Sequence, residues 1–145
     1  MTEMKKFNVL VVDDEKEFRE MTVKQLLHRG MDAEGAENGR IGLDMVKQGH
    51  FDVVLLDVKM PEMDGIEALR EIKHAKPLVE VVLLTGHASV DSGIEGMKLG
   101  AFDYLMKPME FDELLDKLSD AFEKRRIQLE KIEAAQIKKH MSLPS

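Results

Sequence analysis

Cysteine is absent from this chain of 145 residues, which excludes a disulfide framework, a thiolate metal site and a cysteine nucleophile together. Long apolar runs are missing too: none approaches the roughly 18 residues that a membrane-crossing helix needs. The N-terminus, Met1-Thr2-Glu3-Met4-Lys5-Lys6, leads straight into a strand pattern without the regions of a signal peptide. The expectation is a cytoplasmic protein with no membrane association. There is no Gly-x-x-x-x-Gly-Lys phosphate loop, and the five histidines at 28, 50, 74, 87 and 140 show no metal-ligand spacing.

Positive charge is scarce in most of the chain. The formal net charge is -7, but residues 123–145 hold six Lys/Arg against three Glu, so this tail carries +3 and the preceding residues -10. An acidic body argues against direct nucleic-acid binding. What is present is a globular balance, 43% hydrophobic and 34% charged, in a chain long enough to enclose one core without crosslinks. The eleven methionines read as core fillers.

Residues 7–12, 51–56 and 79–84 are almost continuously apolar and rich in Val and Leu, the signature of parallel strands covered on both faces. Residues 31–36 and 101–105 mix in Asp and Glu and read as edge strands. Helical patterns lie between them at 15–28, 39–47, 65–75 and 90–99, and another runs from 110 onward with Phe111, Leu114, Leu115, Leu118 and Phe122 on one face. Strict alternation predicts an α/β fold: a (βα)₅ flavodoxin-like, doubly wound open parallel sheet with an extended C-terminal helix. With the second and fifth strands at the edges, the order is 2-1-3-4-5, and ligands bind at the switch point between strands one and three. The expected division is a domain at 1–122 and a helical extension or linker at 123–145. Leu115, Leu118, Phe122, Leu129 and Ile132 fit a heptad seam that Arg125, Gln136 and Lys139 interrupt. A helix running into solvent is the favoured reading of the extension.

The unusual residues sit where such a crevice opens. Asp13 and Asp14 follow the first strand pattern, Asp57 the third, Thr85 the fourth and Lys107-Pro108 the fifth. Each has an innocent reading: Asp14 with Glu17 could cap a helix, Asp57 could begin a turn, and Lys107-Pro108 could end a strand. Their joint placement at one end of one sheet favours a shared site. Three gathered carboxylates repel unless a cation is present, and oxygen ligands suit Mg²⁺, which keeps waters and accepts phosphate oxygens. Lys107 then offers a fixed positive charge, Thr85 a hydroxyl donor, and Asp57 a nucleophile for phosphorus.

Four motifs carry a family resemblance: Val11-Val12-Asp13-Asp14-Glu15, Leu55-Leu56-Asp57-Val58-Lys59-Met60-Pro61-Glu62-Met63-Asp64-Gly65, Leu83-Leu84-Thr85-Gly86-His87 and Tyr104-Leu105-Met106-Lys107-Pro108. In order and spacing the chain resembles a response-regulator receiver domain, similar to the single-domain chemotaxis regulator and to the receivers of NtrC-type transcription activators. The resemblance implies that Asp57 accepts a phosphoryl group from a sensor histidine kinase or a histidine phosphotransfer protein. It implies Mg²⁺, with Mn²⁺ as a substitute, on Asp13, Asp14, Asp57 and the backbone carbonyl of Lys59. Thr85 and Lys107 would bind phosphoryl oxygens, the Lys107-Pro108 peptide would be cis, and Tyr104 would be the switch aromatic that turns inward with Thr85. Gly86 would leave the approach to Asp57 open, and Lys59 and His87 would tune the phosphate lifetime.

Phosphorylation adds charge that biases a packed element. Gly93 and Gly96 suggest a weakly held fourth helix, or else close packing there; this helix and strand five are the expected moving face. The expected output is a switched surface for a downstream protein or output domain, in a monomer or phosphorylation-dependent dimer that catalyses only its own phosphorylation and dephosphorylation. A phosphorelay intermediate and a receiver fragment of a larger activator are the alternatives. A haloacid-dehalogenase-type enzyme is disfavoured, because its nucleophile follows the first motif strand and is paired with an Asp two residues later, where this chain has Lys59.

Overall fold

The computed structural model describes residues 5–60, 63–86 and 90–142. Five strands alternate with five helices: β1 (Asn8–Val12), α1 (Lys16–His28), β2 (Asp32–Ala36), α2 (Gly39–Gln48), β3 (Val53–Asp57), α3 (Gly65–Ala75), β4 (Glu80–Thr85), α4 (Val90–Lys98), β5 (Asp103–Met106) and α5 (Phe111–Ser142). All four strand pairings are parallel, in the order β2-β1-β3-β4-β5, as the patterning predicts.

The apolar runs are continuous because the sheet is covered twice. Successive side chains of a strand point to opposite faces, so Leu10, Val12, Val54, Leu56, Val81 and Leu83 join the buried layer that includes Leu69 and Ile72 of α3. Val9, Val11, Val53, Leu55, Val82 and Leu84 join Leu26 of α1 and Leu114, Leu115 and Leu118 of α5 in the other. The edge strands differ: β2 buries only Ala36 and β5 only Leu105.

Strand five begins two residues later than its composition suggests, and the reason is the end of α4. Gly100, at φ +102, and Ala101 donate backbone N–H groups to Met97 and Gly96, a Schellman closure that consumes Ala101 in the helix terminus. The same closure ends α1, where Gly30 at φ +91 and Met31 donate to Leu27 and Leu26.

Helix α5 is a single helix of 32 residues, about 48 Å long at 1.5 Å per residue. Its buried stretch ends at Ala121, and Phe122 stacks on Phe7 with ring centroids 4.8 Å apart. Arg125 then bonds Asp52 at 3.0 Å and Lys124 pairs with Glu80 at 3.3 Å, at the end of the sheet opposite the strand C-termini. From Ile127 to Met141 every residue is exposed, the heptad-like positions Leu129 and Ile132 included, although Leu129 still lines a shallow cavity with Phe51 and Pro77.

Candidate functional site

The parallel sheet delivers its strand C-termini to one edge, and the predicted residues arrive there together. Asp57 and Thr85 are the last residues of β3 and β4, and Asp13 extends β1 by one further bond, its N–H donating to Ala36 at 3.1 Å. Asp13 and Asp57 are buried and Asp14 is exposed; each offers a carboxylate oxygen, and these oxygens lie within 4.8 Å of one another.

Nothing about helix α1 requires Asp14. The helix starts at Lys16 with Glu15 at the N-cap position and no side-chain capping bond, which overturns the reading of Asp14 and Glu17 as a cap. It is Asp13 that organises the turn: its Oδ1 accepts the N–H of Glu15 at 2.9 Å, and its backbone carbonyl accepts from Arg19 at 2.8 Å.

The electrostatics follow from crowding. The Asp57 carboxyl is pushed up to about 7, by burial first and by neighbouring Asp13 second, against weaker opposing effects of Lys107 and the Lys59 N–H. That N–H reaches Asp57 Oδ1 at 3.3 Å. Lys107 places Nζ 2.7 Å from Asp13 Oδ2, 3.0 Å from Glu15 Oε1 and 3.9 Å from Asp57 Oδ2. Burial alone would lower the Lys107 pKa, but the bonds to Asp13 and Glu15 outweigh it and hold the ammonium above its ordinary value. Three carboxylates with one resisting ionisation make a donor set that a hard divalent cation would neutralise.

Around this cluster the scaffold is tight. The Lys107-Pro108 peptide is cis, and the Lys107 N–H donates to the Thr85 carbonyl at 2.8 Å. Thr85 is buried, its hydroxyl donating to the Leu105 carbonyl at 3.3 Å. At Gly86 a β-carbon would meet nothing within 4 Å, so a side chain there would project into open space. Beside the cluster, an open groove of about 830 Å³ is lined by Asp14, Lys59, Arg70 and Glu95, among others. Tyr104, 40% exposed, lies with its ring against Gly93. Of the two α4 glycines, Gly96 serves close packing, since a β-carbon there would fall 2.1 Å from Leu83 Cδ1, whereas one at Gly93 would make ordinary contact with the Tyr104 ring at 3.5 Å. His87, with Pro61 and Glu62 of the second motif, lies outside the described residues.

Two residues escaped the sequence reading. Glu15 holds Lys107, and the Phe18 ring lies 4.4 Å from the same ammonium. Glu15 was visible only as the acidic residue after the Asp pair, and Phe18 carried no signal beyond its place one turn into the helix.

The comparisons agree with this geometry. The family model described as "Response regulator receiver domain" matches residues 9–119. The chain belongs to the response-regulator receiver family. Phosphoryl acceptance on an aspartate is the general function of these receivers, which serve two-component systems. Among curated relatives, the regulatory protein AtoC of Escherichia coli (strain K12) is 42% identical over 106 residues, 73% of this chain and 23% of that protein. The transcriptional regulatory protein ZraR of Klebsiella oxytoca is 43% identical over 122 residues, 83% of this chain and 27% of that protein. The receiver thus spans about a quarter of these curated relatives. Among solved structures, a response regulator receiver domain protein from Clostridium thermocellum aligns with a TM-score of 0.81 at 34% identity, covering 84% of this chain and 98% of that one. NtrX from Brucella abortus aligns with a TM-score of 0.82 at 27% identity, covering 87% of this chain and 29% of that one. Among the described residues, no helix is long and apolar enough to cross a membrane.

Proposed function

We propose that Asp57 is the phosphoacceptor of this receiver and that residues 1–122 form the phosphorylated module, with 123–145 an extension. One observation carries the reading: Asp13 and Asp14 just after β1, and Asp57 at the end of β3 more than forty residues on, present their carboxylates within 4.8 Å of one another beside the Lys107 ammonium. Asp13, Asp14, Asp57 and the Lys59 carbonyl would hold Mg²⁺, which when bound supplies charge neutralisation for the carboxylates and the incoming phosphoryl oxygens. The fit is chemical, since every donor is a hard oxygen and the raised Asp57 pKa marks an uncompensated cluster.

The donor is a phosphohistidine of a sensor kinase or phosphotransfer protein. An Asp57 oxygen attacks phosphorus in line; the P–O bond forms as the P–N bond breaks, and the departing imidazole takes up a proton. Lys107 and the Thr85 hydroxyl bind the phosphoryl oxygens. For Thr85 this means giving up its bond to the Leu105 carbonyl, and the space it leaves admits the Tyr104 ring from its seat on Gly93. Helix α4 and β5 are then the face that changes. Lys59 and His87 at the rim slow the attack of water on the acyl phosphate. The setting is cytoplasmic, and the product is a signal rather than a turnover product.

The curated relatives support a second reading of the output. They are transcription regulators of which this chain matches about a quarter, and on this reading the switched surface is read by the output part of such a regulator rather than by a separate protein.

Incubation with Mg²⁺ and acetyl phosphate, followed by intact mass, tests the core proposal. One added phosphoryl group is expected, absent with chelator and absent in Asp57→Asn. An Asp57→Asn protein that still gains the mass would overturn the assignment.

A further inference from the structure

The Lys107 ammonium has three N–H donors and no acceptor, and the fold spends them before any phosphoryl group arrives. Asp13 and Glu15 accept at 2.7 and 3.0 Å, and the Phe18 ring lies 4.4 Å away, within cation–π range. Asp57 Oδ2, at 3.9 Å, is beyond hydrogen-bond reach. Lys107 therefore rests on partners that are not the nucleophile. Glu15 and Phe18 come from the start of one helix, three residues apart and on one side of it. Glu15 is itself positioned, because its N–H is held by Asp13 Oδ1 at 2.9 Å.

We infer that Glu15 and Phe18 form a cradle that holds Lys107 back from Asp57, making Glu15 a positioning residue that governs how readily Asp57 takes phosphate. The inference rests on the roles of Asp57 and Lys107 proposed above. Asp13 belongs to the proposed metal ligands, whereas Glu15 and Phe18 do not, and Phe18 also packs against the core beside α1. An acceptor oxygen arriving at Asp57 competes with Glu15 for the same N–H donors. Removing the Glu15 charge weakens the resting arrangement and leaves the phosphorylated one, in which Lys107 has already moved to the phosphoryl oxygens, unchanged. The forward reaction is thus accelerated, and hydrolysis is not.

The test compares wild type, Glu15→Gln and Glu95→Gln. Glu95 lies on the wall of the neighbouring groove and controls for loss of one negative charge near the site. Three quantities are read: the rate of phosphorylation by acetyl phosphate with saturating Mg²⁺, the rate of phosphate loss after donor removal, and amine labelling of Lys107 relative to Lys117 in the unphosphorylated protein. Glu15→Gln should raise both the phosphorylation rate and Lys107 labelling roughly two- to fivefold, the factor an exposed ion pair is worth. Hydrolysis should stay at the wild-type rate, and Glu95→Gln should match wild type in labelling. Phe18→Leu should also raise Lys107 labelling. Unchanged Lys107 labelling in Glu15→Gln, or an equal rate increase in Glu95→Gln, would overturn the cradle. A wild-type protein that takes no phosphoryl group would overturn the proposed role of Asp57 instead, and the labelling, which needs no phosphate, would still decide whether Glu15 holds the ammonium.

Discussion

Gly65, the first residue of α3, stands against the backbone of Asp57: a β-carbon at residue 65 would lie 2.3 Å from the Asp57 carbonyl oxygen and 2.6 Å from Val58 Cα. The approach is locked by the Gly65 N–H, which donates to the Val58 carbonyl at 2.9 Å. Neither contact is with a flexible side chain, so the β3–α3 turn must open to admit even a methyl group. Gly65→Ala should cost about 1–3 kcal/mol, the usual range for overpacking, measured by urea denaturation. Phosphorylation should slow in the same variant, because the displaced backbone is that of the proposed phosphoacceptor, Asp57.

The buried Asp57 carboxyl gives the metal-free protein a particular pH dependence. Its folded-state pKa of about 7 exceeds the ordinary 3.8, by burial first and Asp13 second. The folded chain therefore holds this proton more tightly than the unfolded chain does. The contribution is fully present below about pH 4 and is lost as pH rises toward 7, by up to about 4 kcal/mol. Asp57→Asn should be more stable than wild type at pH 7.5 in chelator, and the difference should shrink at pH 4.5. A difference independent of pH would count against a strained carboxylate.

Much of this site was legible because strand ends are. A buried parallel strand announces itself as an unbroken Val and Leu run, and Asp13, Asp57, Thr85 and Lys107 are the polar residues at or just past the ends of such runs. Which side chains would meet Lys107 was not legible. That depends on the rotation of α1 over the sheet, and periodicity cannot report rotation to within one residue when the helix carries little apolar signal on that side. The β5 start was misplaced for a related reason: Ala101 and Phe102 look strand-like in composition, but the hydrogen bond from Ala101 to Gly96 belongs to a closure that forms only once α4 has folded. The role of Gly96 in α4 was likewise open, until the 2.1 Å that would separate a β-carbon there from Leu83 Cδ1 favoured packing.

Divalent ion should stabilise the fold through the same cluster. Mg²⁺ at about a hundred times its Kd adds about 2.7 kcal/mol when it binds only the folded state. Thermal unfolding with and without chelator measures it. The increment should vanish in Asp13→Asn and in Asp57→Asn, whereas Glu34→Gln, on the exposed edge strand β2, should keep it.

Phosphorylation should be felt at α4 and β5 before it is felt elsewhere. Thr85 and Tyr104 lie on β4 and β5, with Thr85 registered opposite Met106, and the Tyr104 ring rests on α4. Hydrogen exchange should change in 90–106 on phosphorylation and stay constant in β1 and β3. Unchanged exchange in α4 and β5 would remove the switching face.

The most direct measurement locates the phosphoryl group itself. Borohydride reduces an acyl phosphate on aspartate to the alcohol, so peptide mass spectrometry of the protein phosphorylated with Mg²⁺ and acetyl phosphate, then reduced, identifies the residue. The account predicts homoserine at position 57 and unmodified aspartate at 13 and 14. Reduction product at 13 or 14, or at no aspartate in a protein that has gained a phosphoryl group, would contradict it.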